Sequence, residues 1–160
     1  MGIPTPIEIE RKFLVKMPTE EELKACGAAK SNIVQTYLRR LEPKVERRVR
    51  QRGIGSEFSY YYTEKKILSG CSRSEVERRI TKDEYLGLLV EGIATLHKDR
   101  YCFFYENQYF ELDVYPDWDN EAILEIELTE EGQDIKLPDW LSVIKEVTDD
   151  ESYKNSALAR

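Results

Sequence analysis

Hydrophobic and polar residues alternate with a period of two along most of this chain. Successive side chains of a β-strand point to opposite faces, so this alternation is typical of strands that bury one face. Eight segments follow the pattern: 7–15, 34–41, 45–52, 58–66, 73–80, 96–105, 109–115 and 122–128. They predict a mainly β (α+β) fold in which an eight-stranded antiparallel sheet closes into a barrel.

Short helices are predicted at four places. Two of them follow the capping-box pattern S/T-x-x-E, in which two side chains bond the free amide groups at the start of a helix. The four segments are 23–29 after Thr19 and Glu22, the run from Tyr85 to Ile93 after Thr81 and Glu84, Trp140 to Ile144 after Pro138, and closing turns within 152–160. The fold class therefore includes a few helices packed outside the barrel.

The composition indicates an ordered globular protein with a high charge load. The chain has 160 residues, of which 41% are hydrophobic and 34% charged, and no low-complexity linker divides it. These values predict a single domain over residues 1–160. The formal net charge of −7 argues against general attraction to nucleic acid or to an anionic membrane.

The cysteines and the hydropathy pattern bear on location. Cys26, Cys71 and Cys102 are odd in number and have no CxxC spacing, which favours a reducing compartment. No apolar stretch approaches the ~20 residues that span a bilayer, and charged residues interrupt the first segment, so neither a membrane span nor a signal peptide is predicted. We expect a cytoplasmic monomer or homodimer with no nucleic-acid or membrane partner.

The polar faces of the predicted strands are almost entirely charged. They carry Glu8, Glu10, Lys12, Arg48, Arg50, Lys65, Arg73, Glu75, Glu77, Lys98, Arg100, Glu111, Asp113, Glu125 and Glu127. The polar face of a single antiparallel strand usually meets solvent. Four strands here carry two acids two positions apart, ~7 Å from each other, and such acids repel unless a cation or a base lies between them.

If the strands close, these charged faces converge in the lumen while the apolar faces lie outside. A dry and empty lumen with so many charges would be unstable. Carboxylates bind Mg²⁺ or Mn²⁺, whereas lysine and arginine bind phosphate oxygens. A metal–polyphosphate complex needs both sets of side chains together, so the pattern predicts a site for such a complex.

The charged residues also match known motifs in order over almost the whole chain. The motif E-x-E-x-K matches Glu8, Glu10 and Lys12, and the motif R-x-R matches Arg48 and Arg50. T-x-K matches Thr63 and Lys65, R-x-E-x-E matches Arg73, Glu75 and Glu77, and a basic strand matches Lys98 and Arg100. Two acidic strands match Glu111 with Asp113 and Glu125 with Glu127, and a C-terminal segment matches the tail from Glu146 to Ala159. In these motifs the chain resembles the CYTH superfamily, or triphosphate tunnel metalloenzymes, and most of all its short bacterial inorganic tripolyphosphatases. The tail departs from this resemblance at Ser152, where relatives often carry a basic residue that Lys154 would replace.

The resemblance implies a tunnel with a short C-terminal plug helix and metal-dependent hydrolysis of tripolyphosphate to pyrophosphate and phosphate. We expect two ions, Mg²⁺ or Mn²⁺, one to neutralise and orient the phosphates and one to activate a water. The expected substrate-binding residues are Lys12, Tyr37, Arg39, Arg48, Arg50, Lys65, Arg73, Lys98 and Arg100. The expected metal ligands are Glu8, Glu10, Glu75, Glu77, Glu111, Asp113, Glu125 and Glu127, and the expected catalytic residues are Glu8, Glu10, Lys12, Lys65, Lys98 and Arg100.

Several alternatives stay open at this point. Tyr37 lies on a predicted strand ahead of Arg39, where it either points inward to the phosphates or simply packs in the core. The same tunnel would suit a thiamine triphosphatase or a class IV-type adenylate cyclase. A polyphosphate- or nucleotide-binding module without turnover would keep the bases but not the full set of acids, and a purely structural barrel would bind no metal.

Overall fold

Nine β-strands form one antiparallel sheet in the structure, a computed structural model that describes residues 7–69 and 72–159. The strands are β1 (Ile7–Lys16), β2 (Ala29–Leu38), β3 (Val45–Ile54), β4 (Glu57–Ser69), β5 (Ser72–Ile80), β6 (Gly92–Tyr105), β7 (Gln108–Val114), β8 (Glu121–Leu128) and β9 (Val143–Glu146). Each of the eight predicted strands is present, and β9 is an addition to them.

The strands lie in the order β5-β4-β3-β2-β6-β7-β8-β1, with β9 beyond β1. One edge of β1 pairs with β8 from Ile9 to Lys16. The other edge pairs first with β5 over three residue pairs, then receives a 2.8 Å hydrogen bond from the Val147 N–H to the Lys12 carbonyl, and then pairs with β9. The two end strands of the eight-strand order, β5 and β1, therefore lie side by side. The predicted barrel is confirmed, with its closure limited to these short contacts.

Two expectations of secondary structure are wrong. The strand expected at 34–41 is β2, which begins at Ala29 and ends at Leu38. The segment after Pro138 is a turn followed by β9, and it contains no helix. The short apolar run in this segment suits a strand as well as a helix. The segment forms a strand because the free edge of β1 supplies hydrogen-bond partners for its main chain.

The helices are short and lie outside the sheet or at its end. They are α1 (Glu20–Ala25), α2 (Lys82–Leu88) and α3 (Asn155–Leu158), with 3₁₀ turns at Leu89–Glu91 and Glu151–Tyr153. Both predicted capping boxes are confirmed, with Thr19 and Thr81 as the capping residues. α1 begins directly after Thr19 and ends before the predicted limit at residue 29. None of the described helices has the length and apolar character needed to cross a membrane.

The apolar faces of the strands are buried outside the lumen. A cluster that includes Phe13 and Phe110 packs against α1 through Leu23. A second cluster, around Val49, packs against α2 through Tyr85. Burial of such side chains stabilises the fold by roughly 1.5–3 kcal/mol each. With the hydrophobic core on the outer side of the sheet, the inner faces are left for polar residues.

Candidate active site

The inner faces of the strands enclose a polar cavity of about 210 Å³. It is lined by Glu10, Lys12, Gln35, Arg48, Arg50, Arg52, Lys65, Glu75, Glu77, Lys98, Arg100, Glu111, Glu125, Glu127 and Asn155. A second cavity of about 60 Å³ shares part of this lining and adds Tyr37, Glu46, Ile67, Arg73, Thr148, Lys154 and Ser156. The charged faces that the alternation predicted therefore do converge in the lumen.

Five of the lining cations are buried. Lys12, Arg48, Arg50, Lys98 and Arg100 are each between 1% and 9% exposed. Removing so many positive charges from water is unfavourable unless anions lie beside them. The arrangement of the carboxylates around these cations therefore decides what the cavity can bind.

Asp113 is the counter-ion of two of these cations. Lys98 Nζ donates to its Oδ2 at 2.7 Å, while Arg100 donates from Nε to Oδ1 at 2.8 Å and from Nη2 to Oδ2 at 3.0 Å. Burial alone would raise the pKa of Asp113, but Arg100 and Lys98 hold it well below its ordinary value. Burial also lowers the pKa of Lys98 to about 8, against the opposite effect of Asp113. Both oxygens of Asp113 thus already accept hydrogen bonds from these two cations.

The carboxylates of β5 lie beside the arginines of β3. Arg48 Nη2 is 3.5 Å from Glu75 Oε1, and Arg50 Nη2 is 3.4 Å from Glu77 Oε1. Glu77 also accepts a hydrogen bond from Thr63 Oγ1 at 3.1 Å. Burial lowers the pKa of Arg50 to about 10 although Glu77 opposes the shift. Its buried Nε has no hydrogen-bond partner among the described residues, so an anion in the cavity would stabilise this guanidinium.

The wall formed by β1, β7 and β8 carries most of the remaining carboxylates. Glu10 lies opposite Glu127 in one ladder, and Glu111 lies opposite Glu125 in the next. Lys12 Nζ is 3.4 Å from Glu125 Oε1 and 3.8 Å from Glu10 Oε1. Burial raises the pKa of Glu111, although Arg100 at 2.9 Å opposes the shift, and partial burial raises the pKa of the more exposed Glu127; the neighbouring carboxylates raise both further. A cation between these groups would relieve their repulsion.

Glu10, Glu111, Glu125 and Glu127 fit a divalent metal by their chemistry, since carboxylate oxygens are the ligands that Mg²⁺ and Mn²⁺ prefer. No three His, Cys, Asp or Glu side chains of residues 7–69 and 72–159 are already gathered into a coordination shell. An ion would therefore have to draw these carboxylates together. The main chain of Glu8, another expected ligand, pairs with Arg73 in the sheet, but its side chain lies outside the described part.

One end of the lumen is apolar. Leu14, Leu96, Tyr115, Ile123 and Val147 continue the inner faces there as a buried cluster, and Trp118, Tyr153, Leu158 and Ala159 pack against it. The C-terminal segment thus covers this end, and α3 has the position expected of a plug helix.

A family model described as the CYTH domain matches residues 6–155. The chain belongs to the CYTH family.

Relatives of this CYTH domain include two inorganic triphosphatases, one of which aligns over nearly the whole chain. The inorganic triphosphatase of Nitrosomonas europaea is 37% identical over 158 residues, which span 95% of this chain and 96% of that protein. The inorganic triphosphatase of Acetivibrio thermocellus is 37% identical over 105 residues, or 62% of this chain and 65% of that protein. A crystal structure of an inorganic triphosphatase matches with a TM-score of 0.61 and 31% identity, covering 99% of this chain and 97% of that one.

Most of the residues expected to act in the CYTH domain line the two cavities. These are Glu10, Lys12, Tyr37, Arg48, Arg50, Lys65, Arg73, Glu75, Glu77, Lys98, Arg100, Glu111, Glu125 and Glu127. Arg39 does not lie with them. It follows the end of β2, its side chain is 71% exposed, and its Nη2 is 3.8 Å from Glu91 Oε1. Because β2 ends at Leu38, the alternation no longer directs Arg39 toward the lumen.

Tyr37 faces the smaller cavity and is buried. Gln35 Nε2 donates to its hydroxyl oxygen at 2.6 Å. Burial raises the pKa of Tyr37 to about 12, although Arg48 opposes the shift. The hydroxyl therefore stays protonated near neutral pH and can donate a hydrogen bond to an anion. Of the two orientations that the sequence left open for Tyr37, the inward one is found.

Some lining residues were not predicted. They are Gln35, Glu46, Arg52, Ile67, Thr148, Asn155 and Ser156. Glu46 and Arg52 share the phase of Arg48 and Arg50, so extending the alternation along β3 would have found both. Asn155 comes from the C-terminal segment, and no local sequence pattern indicates that this segment reaches the lumen.

Proposed function

We propose that this CYTH domain hydrolyses inorganic tripolyphosphate to pyrophosphate and phosphate with the help of divalent metal ions. The observation that carries the proposal is one cavity lined both by buried lysines and arginines and by several closely spaced carboxylates. A polyanion that binds together with cations satisfies both sets of side chains. The relatives described as inorganic triphosphatases support an inorganic triphosphate as that polyanion.

The cations would bind the phosphate oxygens in this proposal. Arg48 and Arg50 offer planar groups that can donate to two oxygens at once, and the Arg50 Nε has no hydrogen-bond partner within residues 7–69 and 72–159. Lys98 and Arg100 are already fixed by Asp113, so little rearrangement is needed when the substrate binds. Such fixed donors stabilise the charge that develops in the transition state.

The carboxylates Glu10, Glu111, Glu125 and Glu127 would hold Mg²⁺ or Mn²⁺, and we expect two ions. When bound, the metal supplies neutralisation of phosphate charge and activation of the attacking water. Without cations, the same carboxylates repel the phosphates. Binding of the substrate should therefore be tighter with the metal than without it, where the buried cations alone hold the phosphates.

The reaction would follow the ordinary course of phosphoryl transfer. Water attacks the terminal phosphorus and a new P–O bond forms, while the bond to the bridging oxygen breaks so that pyrophosphate leaves with the electron pair. The attacking water loses one proton, which is released to solvent. The side chains of the lumen mainly position the reactants and stabilise the charge that shifts to the leaving oxygen.

The test is an assay of phosphate release from tripolyphosphate with Mg²⁺ or Mn²⁺, with EDTA as the control and with ATP and thiamine triphosphate as competing substrates. We expect metal-dependent release that is fastest with tripolyphosphate. Faster release from thiamine triphosphate, or formation of cyclic AMP from ATP, would replace the proposed substrate. Tight binding of tripolyphosphate without turnover would identify a binding module.

A further inference from the structure

Asn155 joins the C-terminal segment to the lumen. Within the described part of that segment, it is the residue that lines both the 210 Å³ and the 60 Å³ cavity, whereas Thr148, Lys154 and Ser156 line the smaller one alone. Its side chain thus lies beside the walls that carry Lys12 and Arg48. No sequence motif assigned it a role.

The amide of Asn155 is oriented by Tyr115. The Tyr115 hydroxyl donates to Asn155 Oδ1 at 2.7 Å across 40 positions of sequence. Tyr115 is buried in the apolar cluster at the end of the lumen, so its ring cannot easily move. Burial, together with Asp113 and Glu125, raises the pKa of Tyr115 well above its ordinary value, which keeps the hydroxyl protonated and able to donate.

This hydrogen bond decides which end of the amide is left for a ligand. A side-chain amide has one acceptor oxygen and one nitrogen with two N–H donors. Because Oδ1 accepts the bond from Tyr115, Nδ2 is the atom of the amide that remains to donate to a ligand in the cavities that Asn155 lines. A phosphate oxygen needs a donor of this kind, and the amide supplies it without adding another charge to the lumen.

We propose that Asn155 Nδ2 donates a hydrogen bond to a phosphate oxygen of bound tripolyphosphate and that Tyr115 is the positioning residue that keeps the amide in this orientation. The inference rests on the proposed function for the identity of the substrate. Without the Tyr115 hydroxyl, the amide is free to turn its oxygen toward the phosphates, where it would repel them.

The test compares Asn155→Ala, Asn155→Asp, Tyr115→Phe and the double variant Tyr115→Phe/Asn155→Ala. Two quantities are measured, namely kcat and KM for tripolyphosphate with Mg²⁺, and the Kd of tripolyphosphate in EDTA by calorimetry. We expect Asn155→Ala to weaken binding ~10-fold, the usual effect of losing a hydrogen bond to a charged group. Asn155→Asp should bind more weakly still, since it keeps an acceptor for Tyr115 but turns a carboxylate toward the phosphates.

The double variant tests the positioning role. If Tyr115 acts through Asn155, Tyr115→Phe weakens binding in the wild-type background and adds nothing in the Asn155→Ala background. Additive losses would overturn this role. The matched controls are Asn32→Ala, whose amide donates to exposed Asp99, and Tyr101→Phe, whose ring lies near Lys30.

Two outcomes separate this inference from the proposed function. Binding of tripolyphosphate by Asn155→Ala and Asn155→Asp within about twofold of wild type would overturn the contact, even if the wild type hydrolyses tripolyphosphate rapidly. A wild type that binds tripolyphosphate in EDTA but hydrolyses no triphosphate would overturn the proposed function. The predicted order of Kd values among the variants would then still decide the role of Asn155.

Discussion

The two ends of the lumen are built from the same strands but from opposite kinds of residue. At the charged end, β1, β6, β7 and β8 contribute Glu10, Lys12, Lys98, Arg100, Glu111, Asp113, Glu125 and Glu127. At the apolar end, the same inner faces together with Tyr115 contribute Leu14, Leu96 and Ile123. Along β1 the change takes a single step of the alternation, from Lys12 to Leu14. Each strand thus divides its inner face between two environments.

The difference teaches which residues serve the fold and which serve the ligand. Burial of the apolar cluster stabilises the barrel directly, by roughly 1.5–3 kcal/mol for each large side chain. Buried ion pairs stabilise little, because the loss of hydration offsets most of their attraction. The charged end is therefore explained by what it binds. Substitutions should separate stability from activity along one and the same strand.

The largest effect is expected for Asp113, a charged residue of the lumen that also contributes to the stability of the fold. Asp113→Asn removes the counter-ion that Lys98 and Arg100 share, although Arg100 keeps Glu111 at 2.9 Å, and loss of one partner of a buried pair costs roughly 3–5 kcal/mol in the free energy of unfolding. Denaturation in urea measures this loss. The control Asp99→Asn removes an exposed carboxylate of the neighbouring β6 and should change stability by less than about 1 kcal/mol. Equal losses in the two variants would show that Asp113 is not the counter-ion described.

A smaller effect of the opposite kind is expected at the apolar end. Leu14→Ala removes a buried side chain and should lower the free energy of unfolding by roughly 2–5 kcal/mol. The kcat and KM for tripolyphosphate should stay within about twofold of wild type at temperatures where the variant is folded. Leu86→Ala, at a half-exposed position of α2, is the control for the stability measurement. A loss of activity without a loss of stability would show that Leu14 belongs to the binding site. The apolar and charged ends of the lumen would then not be separate in function.

The smallest expected effect concerns pH. Glu111 and Glu127 have raised pKa values in the folded protein, so the native state takes up protons before the unfolded chain does as the pH falls. These two groups therefore stabilise the metal-free protein as the pH falls from neutral toward their raised pKa values, and this contribution is lost again as the pH rises. In EDTA the melting temperature should therefore rise as the pH is lowered. Mg²⁺ should reduce this rise because it competes with the protons for the same carboxylates. A melting temperature that falls in EDTA over this range would contradict the assignment of these two carboxylates.

Much of this site follows from the alternation alone. The period of two placed Glu10 and Lys12, and likewise Glu125 and Glu127, on the inner face because the strands are regular there. The same reasoning failed for Arg39, since β2 ends one residue before it. A strand pattern says where a side chain points only as far as the strand extends.

Other parts of the site depend on contacts between distant segments. Asp113 has the sequence signature of a metal ligand, and its role as counter-ion emerges only when β6 and β7 pair. β9 forms because β1 has a free edge, and the sequence of β9 does not indicate that this edge is available. Asn155 reaches the lumen through a bond to Tyr115, a contact that no local pattern encodes.

The most direct test of the division between fold and ligand is Glu127→Gln, measured for both hydrolysis and stability on the same sample, with exposed Glu130→Gln as the control. Glu127 lines the charged end among carboxylates that repel it, and glutamine keeps its shape without its charge. We predict that Mg²⁺-dependent hydrolysis of tripolyphosphate falls by about 100-fold or more while the metal-free melting temperature stays equal or rises. A variant that keeps its activity but melts at a lower temperature would contradict the account, because it would show that the charged end serves the fold.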